Sequence, residues 1–347
     1  MKPSTETVSS SSQPPQMVCD FVPRRWLTGG HAQTIAGNFM HRTNLLPAPE
    51  DRLVLVDEGV QLLCHCHWQP QREGRLTLMI VHGLEGSSSS QYVIGTANRA
   101  WKQGWNVVRM NVRGCGGTEH LSATLYHSGL SQDVQKLMTE IIRGEQLQQV
   151  ALAGFSMGGN QVLRALGLWG ADWPPQLVSA AAVSPACDLS LSSDRIHAAA
   201  GTLYEKWFLK SLRRSYRRKS QLWPGRYDVS LLHKARSVRD FDEYITARYM
   251  GFAGAEDYYD KASSAHVLQQ IAVPTLVIHA DDDPFVVISP ESRRKLAENP
   301  HITFLNPRHG GHCAFIEQPN GHPNDDGRWA ERKIVEFLAA QMAGARS

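Results

Sequence analysis

The sequence lacks a run of about eighteen consecutive apolar residues, the minimum for a helix that crosses a membrane. It also lacks a strong excess of either charge: the formal net charge is +3, and no basic excess points to a nucleic-acid partner. No C-x-x-C pair occurs, and the six cysteines are scattered. Because their spacing forms no disulfide framework, the sequence indicates a reducing compartment, and we expect a cytoplasmic protein.

Residues 1–16 are rich in serine, proline, threonine and glutamine and contain no apolar core segment. This composition predicts a disordered leader rather than a signal peptide. Of the 347 residues in the chain, 42% are hydrophobic, which is enough for a large core. This length would allow about two domains, but α/β enzymes of this size often form one domain with an insertion, so residues 17–347 are predicted to form a single domain.

Short apolar runs alternate with segments of helical periodicity over most of the chain. The runs predict strands, and their regular alternation with helices favours a mainly parallel sheet flanked by helices on both faces, an α/β fold. The predicted strands are 76–81, 105–111, 150–153, 177–183, 275–280 and 302–305. Between Cys187 and Ile271 this alternation stops and the pattern is helical, which predicts a cap inserted over the strand ends, at about 187–271.

Before these runs, Leu53–Asp57 and Gln61–Trp68 alternate like the two strands of a hairpin. The second strand places His65 and His67 on one face, where they could hold a metal ion. We favour the alternative, the polar face of an edge strand, because no third ligand completes a metal site nearby.

Gly154-Phe155-Ser156-Met157-Gly158 has the pattern G-x-S-x-G, with an apolar strand before it and a helical pattern after it. This context predicts a nucleophile elbow, in which Ser156 occupies a strained turn at the start of a helix. The alternative is an inert serine in a glycine-rich turn. The pattern alone does not distinguish these two interpretations, so residues elsewhere in the chain must distinguish them.

Two further groups of residues follow strand ends. Asp281, Asp282 and Asp283 come after the strand 275–280, and His309 and His312 come after the strand 302–305. The order serine, aspartate, histidine is that of the α/β-hydrolases. A histidine can take the serine proton, and a buried carboxylate can orient that histidine. Because three adjacent carboxylates cannot all be buried together, we expect one of them to serve, and we choose Asp283.

An oxyanion hole completes such a site. His82-Gly83-Leu84 follows the apolar strand 76–81, where this architecture supplies one backbone donor. The residue after the nucleophile supplies the other. We therefore predict that the N–H groups of Leu84 and Met157 bind the oxyanion.

The sequence resembles the YheT-like branch of the α/β-hydrolase superfamily, which also includes ABHD1/ABHD3-like and EMB8-like proteins. The motifs that carry the resemblance are Trp26–Thr34, His82–Ser87, Asn111–Gly117, Tyr126–Gly129, Gly154–Asn160, Asp282–Pro284 and Gly310–His312. The resemblance selects His312 over His309 as the base. It implies a serine esterase or lipase-like hydrolase that acts on a small-molecule ester and needs no metal or other cofactor. No obligate protein partner is evident.

Within the predicted cap, an apolar stripe recurs at helical spacing: Leu203, Tyr204, Trp207, Phe208 and Leu212. Seven cations share the stretch: Lys206, Lys210, Arg213, Arg214, Arg217, Arg218 and Lys219. In one interpretation the stripe packs on the body and the cations are solvated. In the other, Trp207 and Phe208 bind the acyl chain while the cations make weak, peripheral contact with an anionic membrane surface.

Three functions are consistent with these residues. The first is hydrolysis of short- to medium-chain or lipid-like carboxylic esters through an acyl-serine intermediate. The second is acyl transfer, in which an alcohol replaces water in the second step. The third is a non-catalytic binding protein on a hydrolase fold, which is disfavoured because the chain retains serine, aspartate and histidine together.

Overall fold

A central sheet organises the computed structural model, which describes residues 17–198, 202–318 and 326–344. The predicted leader, residues 1–16, lies outside the described residues. In those residues the sheet has eight strands, numbered along the chain: β1 Glu50–Asp57, β2 Val60–His67, β3 Leu76–Val81, β4 Asn106–Met110, β5 Gln149–Phe155, β6 Leu177–Val183, β7 Thr275–Ile278 and β8 Ile302–Leu305. Their spatial order is β1-β2-β4-β3-β5-β6-β7-β8.

The pairing of the strands explains their composition. From β4 to β8 every neighbouring pair is parallel, whereas β1 pairs with β2 and β2 with β4 in antiparallel fashion. Strands β3 and β5 lie at the centre and are apolar and buried along almost their whole length, because both faces of the sheet are covered. The mainly parallel sheet predicted from the alternating pattern is confirmed.

Eleven α-helices accompany the sheet in the part of the chain that the structure describes. They are α1 Gly30–Phe39, α2 Gln91–Lys102, α3 Ser131–Glu145, α4 Met157–Trp169, α5 Leu189–His197, α6 Thr202–Leu222, α7 Val238–Phe241, α8 Arg248–Met250, α9 Ala255–Ala262, α10 Pro290–Glu298 and α11 Trp329–Gly344. Helices α3, α4 and α10 supply one core cluster, and α2 and α11 supply the cluster on the opposite face. Helices therefore flank both faces of the sheet.

The hairpin of β1 and β2 corrects one expectation. Strand β2 is not an edge strand, because it pairs with β1 on one side and with β4 on the other. His67 is consequently buried, and its Nε2 accepts a hydrogen bond from Arg109 Nε at 3.2 Å. Burial lowers the pKa of His67 to about 4, so this histidine is neutral and structural. Across the described residues, no group of three or more His, Cys, Asp or Glu side chains is arranged to hold a metal ion.

Helices α5 to α9 all lie between β6 and β7, in the segment where the sequence lost its strand pattern. Their buried side chains contribute to two further clusters, separate from those that cover the sheet, one around Phe208 and Tyr259 and the other around Tyr216 and Phe241. We call α5 to α9 the cap.

None of the described helices is long and apolar enough to span a bilayer.

Helix α6 corrects the expectation of seven solvated cations. Lys219 is 3% exposed, and its Nζ donates to the backbone oxygens of Glu119, at 3.1 Å, and Ser122. Burial lowers the pKa of Lys219 to about 8. Arg218 forms an ion pair with Glu119. The outer surface of the helix thus carries fewer free cations than its sequence indicates.

Candidate active site

Ser156 connects the end of β5 to the start of α4. Its backbone has φ 54° and ψ −120°, a conformation that costs energy for any residue other than glycine. The surrounding chain holds it there: Ser156 N donates to Val183 O at 2.9 Å, and its carbonyl accepts from Asn160 N at 3.0 Å. A Cβ atom on Gly158 would lie 2.4 Å from His82 O, so only glycine fits where α4 starts against the end of β3.

His312 and Asp283 form a buried hydrogen-bonded pair. His312 Nδ1 lies 2.8 Å from Asp283 Oδ2. The other carboxylate oxygen of Asp283 accepts from the backbone N–H groups of Phe285, at 3.1 Å, and Val286, at 2.9 Å. These bonds fix the carboxylate and turn His312 so that Nδ1 faces Asp283, which leaves Nε2 available for another partner.

The interaction between His312 and Asp283 also shifts the pKa of each residue. Burial raises the pKa of Asp283, but the charge of His312 and the hydrogen bond to it outweigh burial, so the net pKa lies below its ordinary value. For His312, burial lowers the pKa, whereas the neighbouring Cys313 and Asp283 raise it, and the net shift is upward. Each residue therefore stabilises the charged form of the other.

Ser156 and His312 line the same cavity, of about 500 Å³. Within the described residues, no hydrogen bond joins the two side chains. Hydrogen bonds between a nucleophile and its base are often long without substrate and shorten in the complex.

The loop after β3 passes directly beside Ser156. A Cβ atom on Gly83 would lie 3.0 Å from the Cβ of Ser156. His82 holds this loop, because its ring bonds Gly83 O at 2.8 Å and accepts from Val112 N at 3.1 Å. Burial lowers the pKa of His82 to about 4, so the ring is neutral and can donate from one nitrogen while accepting at the other. Sequence reasoning gave His82 no role.

The backbone N–H groups of Leu84 and Met157 both belong to this region. Met157 is the first residue of α4, and the first N–H groups of a helix have no partner within the helix. In the described parts of the chain, neither of these two N–H groups donates to a protein acceptor. The N-terminus of α4 also favours negative charge.

Helix α1, near the start of the described chain, supports the loop that contains His312. Sequence reasoning did not predict this contact. Thr34 on α1 accepts a hydrogen bond from His312 N at 2.8 Å. Gln33 donates to Ile316 O at 2.9 Å and accepts from Ile316 N at 2.7 Å. The motif Trp26–Thr34, which carries part of the resemblance, was the available signal, but a motif does not reveal which distant loop it contacts.

Two cavities meet at Ser156. The smaller, of about 130 Å³, extends under the cap, and its lining is mainly apolar, including Ile196, Leu212, Val238 and Phe241. The larger lies between α1 and α6, where Phe39, Leu203 and Trp207 line it together with His312. Both cavities share Leu84, Glu85, Ser156, Phe208 and Phe285. Trp207 thus faces the larger cavity, whereas Phe208 lies where the two meet.

Arg113 lines the smaller cavity, but its guanidinium group is bonded to neighbouring protein side chains. Its Nε and Nη2 each lie 2.6 Å from a carboxylate oxygen of Asp133, and its Nη1 donates to Thr124 at 2.9 Å. An arginine held in this bidentate pair fixes its loop and has few donors left for a substrate.

Comparison with known proteins gives related folds. The family model for the alpha/beta hydrolase fold matches residues 77–319. The YheT protein of Escherichia coli K12 is 33% identical over 93% of this chain and 94% of that protein. Medium-chain fatty acid ethyl ester synthase/esterase 2 of Saccharomyces cerevisiae is 29% identical over 77% of this chain and 63% of that protein. The Pyrococcus furiosus esterase Pf2001 has the same fold, with a TM-score of 0.54 and 16% identity over 84% of this chain and 92% of that chain.

Proposed function

Because this chain belongs to the α/β-hydrolase family, in its YheT-like branch, we propose that it cleaves carboxylic esters through an acyl-serine intermediate on Ser156. Ester hydrolysis in general is supported by the relatives, which include a protein named an esterase. The observation that carries the proposal is the buried Asp283–His312 pair, whose histidine lines the same cavity as the strained Ser156.

The first half of the reaction transfers the acyl group to the enzyme. Ser156 Oγ attacks the ester carbonyl carbon while Nε2 of His312 accepts the serine proton. The negative charge moves to the carbonyl oxygen, where the N–H groups of Leu84 and Met157 stabilise it. The intermediate then collapses: the ester C–O bond breaks, and His312 returns the proton to the departing alcohol. Asp283 stays ionised and stabilises the imidazolium throughout.

The second half releases the acid. Water attacks the acyl-serine carbonyl, and His312 accepts a proton from that water. The same two N–H groups stabilise the second oxyanion. When this intermediate collapses, the proton passes from His312 to Ser156 Oγ, and the carboxylic acid leaves. The enzyme is then in its starting state.

The two cavities suggest how the ester is oriented. The departing alcohol must receive its proton from His312, which lines only the larger cavity. The alcohol part therefore occupies the larger cavity, and the acyl chain enters the smaller apolar cavity past Phe208. This assignment keeps Phe208 as an acyl contact but, unlike the interpretation drawn from the sequence, places Trp207 beside the alcohol part. We expect the acyl chain to be short to medium in length, and the mainly apolar lining of the smaller cavity suits it.

Acyl transfer to an alcohol is a second candidate, for which the yeast relative with "synthase/esterase" in its name gives a reason. In the acyl-enzyme the larger cavity is free to admit either water or an alcohol. Incubation with a p-nitrophenyl ester and added ethanol separates the two functions. Transfer yields the ethyl ester, whereas hydrolysis yields only the free acid.

The proposal is tested with a fluorophosphonate probe, which labels activated serines, and with p-nitrophenyl butyrate turnover. Ser156→Ala should abolish labelling and lower kcat roughly a million-fold, as removing a nucleophile does in other serine hydrolases. Ser89→Ala is the matched control, because Ser89 is an exposed serine that lines the same cavity. It should retain both labelling and turnover. A Ser156→Ala variant with a tenth of the wild-type turnover would refute the proposal.

A further inference from the structure

Glu85 directly follows the proposed oxyanion donor Leu84, and its side chain reaches the cap. One carboxylate oxygen accepts a hydrogen bond from the Tyr126 hydroxyl at 2.6 Å. The other accepts from the hydroxyls of Ser211 and Ser215, each at 2.7 Å. A single carboxylate thus joins the hydroxyl group of Tyr126 to two hydroxyl groups of a helix about 85 residues later in the sequence.

The three hydroxyl groups come from two different parts of the molecule. Ser211 and Ser215 are four residues apart on the cap helix α6, so they lie on one side of that helix. Tyr126 belongs to the body, in the loop before α3, and its hydroxyl also accepts from the backbone N–H of Glu85 at 3.2 Å. Glu85 is therefore held from the body and from the cap at the same time.

Leu84 occupies the same junction. Its side chain packs against the body core that contains β3 and β5, and it also contacts both apolar clusters of the cap. The segment Leu84–Glu85 consequently connects the cap to the body. Leu84 does so through apolar contacts, and Glu85 does so through hydrogen bonds. Both residues line both cavities.

The backbone of Glu85 is in the left-handed region, with φ 55°. A residue other than glycine keeps this conformation only where its surroundings hold it. A backbone hydrogen bond from Gly86 N to Gly83 O at 3.0 Å closes the turn that contains Glu85, and the carboxylate contacts with Tyr126, Ser211 and Ser215 restrain it further. Because Leu84 lies inside this turn, loss of the carboxylate contacts loosens the position of the Leu84 N–H.

We propose that Glu85 is a positioning residue that couples closure of the cap to the geometry of the oxyanion hole. When α6 lies against the body, Ser211 and Ser215 hold Glu85, and Glu85 holds the Leu84 N–H in place. When the cap moves away, these bonds break and the donor is released. This inference rests on the proposed function, because it assumes that Leu84 stabilises an oxyanion.

The test compares kcat and KM for p-nitrophenyl butyrate in four variants: Glu85→Ala, Glu85→Gln, the double variant Ser211→Ala/Ser215→Ala, and the triple variant that combines Glu85→Ala with both serine changes. Losing one oxyanion donor costs roughly a hundred- to a thousand-fold in kcat. A displaced donor should cost less, so we expect Glu85→Ala to lower kcat about 10- to 100-fold and the double variant about tenfold, with KM changed less than about threefold. Glu85→Gln should retain more activity than Glu85→Ala, because its amide can still pair with hydroxyl groups.

The triple variant shows whether these residues act through one linkage. If they do, its kcat should equal that of Glu85→Ala, since residues of one network are not additive. Affinity for a trifluoromethyl ketone, whose adduct with serine carries an oxyanion, should weaken in parallel with kcat. Ser220→Ala is the matched control on α6, because its hydroxyl donates only to Arg217 O within that helix. It should change neither kcat nor inhibitor affinity.

Several outcomes would overturn the coupling. One is a double serine variant with the wild-type kcat. Another is a triple variant whose fold-decrease in kcat equals the product of the decreases in Glu85→Ala and in the double serine variant. A third is a change confined to KM, which would mean that Glu85 contacts substrate directly. If Glu85→Ala does not fold, the other two variants still test the coupling. The double serine variant keeps Glu85 itself, and Glu85→Gln replaces it with a side chain of the same shape. Absence of turnover and probe labelling in the wild type would instead overturn the proposed function.

Discussion

His309 Nδ1 lies 3.1 Å from Asp282 Oδ2, so a second aspartate–histidine pair stands beside the Asp283–His312 pair. The two pairs differ in burial. The side chain of Asp283 is 1% exposed and that of His312 is 11% exposed, against 21% for Asp282 and 38% for His309. Only His312 lines the cavity that contains Ser156. The outer pair supports the loop, since the other oxygen of Asp282 accepts from Gly311 N at 2.8 Å.

The first prediction separates these carboxylates. Asp283→Asn should lower kcat about ten-thousand-fold, because an amide in place of the carboxylate favours the wrong tautomer of His312. Asp282→Asn should lower it less than about tenfold, since Asp282 pairs with His309 rather than with His312 and a partly exposed ion pair contributes little. Asp281→Asn is the control: Asp281 bonds Arg293 and Asn306, away from the histidines. A larger loss in Asp282→Asn than in Asp283→Asn would show that the wrong aspartate was chosen.

The second prediction concerns pH. His312 must be unprotonated to accept the Ser156 proton, so kcat/KM should fall as the pH drops through the pKa of His312. Because Cys313 and Asp283 outweigh burial and raise that pKa, the midpoint should lie above the value of about 6.5 for an unperturbed histidine. In Asp283→Asn the midpoint of the residual activity should move to lower pH. A wild-type midpoint at or below that of free histidine contradicts the prediction.

The third prediction concerns Gly158, two residues after the proposed nucleophile. Gly158→Ala should reduce probe labelling strongly and lower the melting temperature, because the new Cβ would lie 2.4 Å from His82 O and 2.5 Å from Val81 O. Gly144→Ala is the matched control, since a Cβ at Gly144 in α3 meets nothing within 4 Å. An alanine there should raise the free energy of unfolding by about 0.4–1 kcal/mol and leave labelling unchanged. Equal effects of the two substitutions would argue against a sterically constrained elbow.

The fourth prediction separates the acyl and alcohol cavities. Val238→Phe fills part of the smaller cavity, so it should lower kcat/KM for p-nitrophenyl octanoate relative to the butyrate by roughly tenfold or more, as pocket size discriminates by about 1–3 kcal/mol per methylene. Trp207→Ala, in the larger cavity, should leave this ratio unchanged and alter the preference among butyrate esters of different alcohols. The reverse pattern would exchange the two assignments. Phe208→Ala, at the junction, should affect both series.

The fifth prediction concerns peripheral membrane contact. Lys206 and Lys210 are exposed on α6, next to the exposed side chains of Leu203 and Trp207. Each cation near an anionic surface contributes about 1 kcal/mol, so we expect co-sedimentation with phosphatidylserine vesicles that weakens at high salt. Lys206→Glu/Lys210→Glu should abolish it. Arg143→Glu, a charge reversal on α3, is the control and should have little effect. Equal binding to neutral vesicles would exclude an electrostatic contact.

The sequence was most informative where local pattern determines structure. The apolar runs predicted the parallel strands, and G-x-S-x-G predicted a turn from strand to helix, because both depend on neighbouring residues. The contacts of Glu85 could not be predicted, since Ser211 and Ser215 lie 126 and 130 residues away in the sequence. Helical periodicity likewise placed Lys219 among the solvated cations. Its burial depends on the Glu119–Leu121 turn, which packs against α6 only in the folded chain.

The bonds from α1 to the loop of His312 have a consequence for the order of assembly. Thr34 is among the first described residues to be synthesised, and His312 is among the last, yet the two are hydrogen-bonded. Strands β3 and β5, which pair beside Ser156, can form while the C-terminal part of the chain is still being made. The histidine loop can dock only after translation has passed residue 316, whose backbone completes its bonds with Gln33. A nascent chain can therefore form the turn at Ser156 before the loop of His312, the proposed base, can dock, so we expect the proposed hydrolytic activity to begin only after residue 316 has been translated.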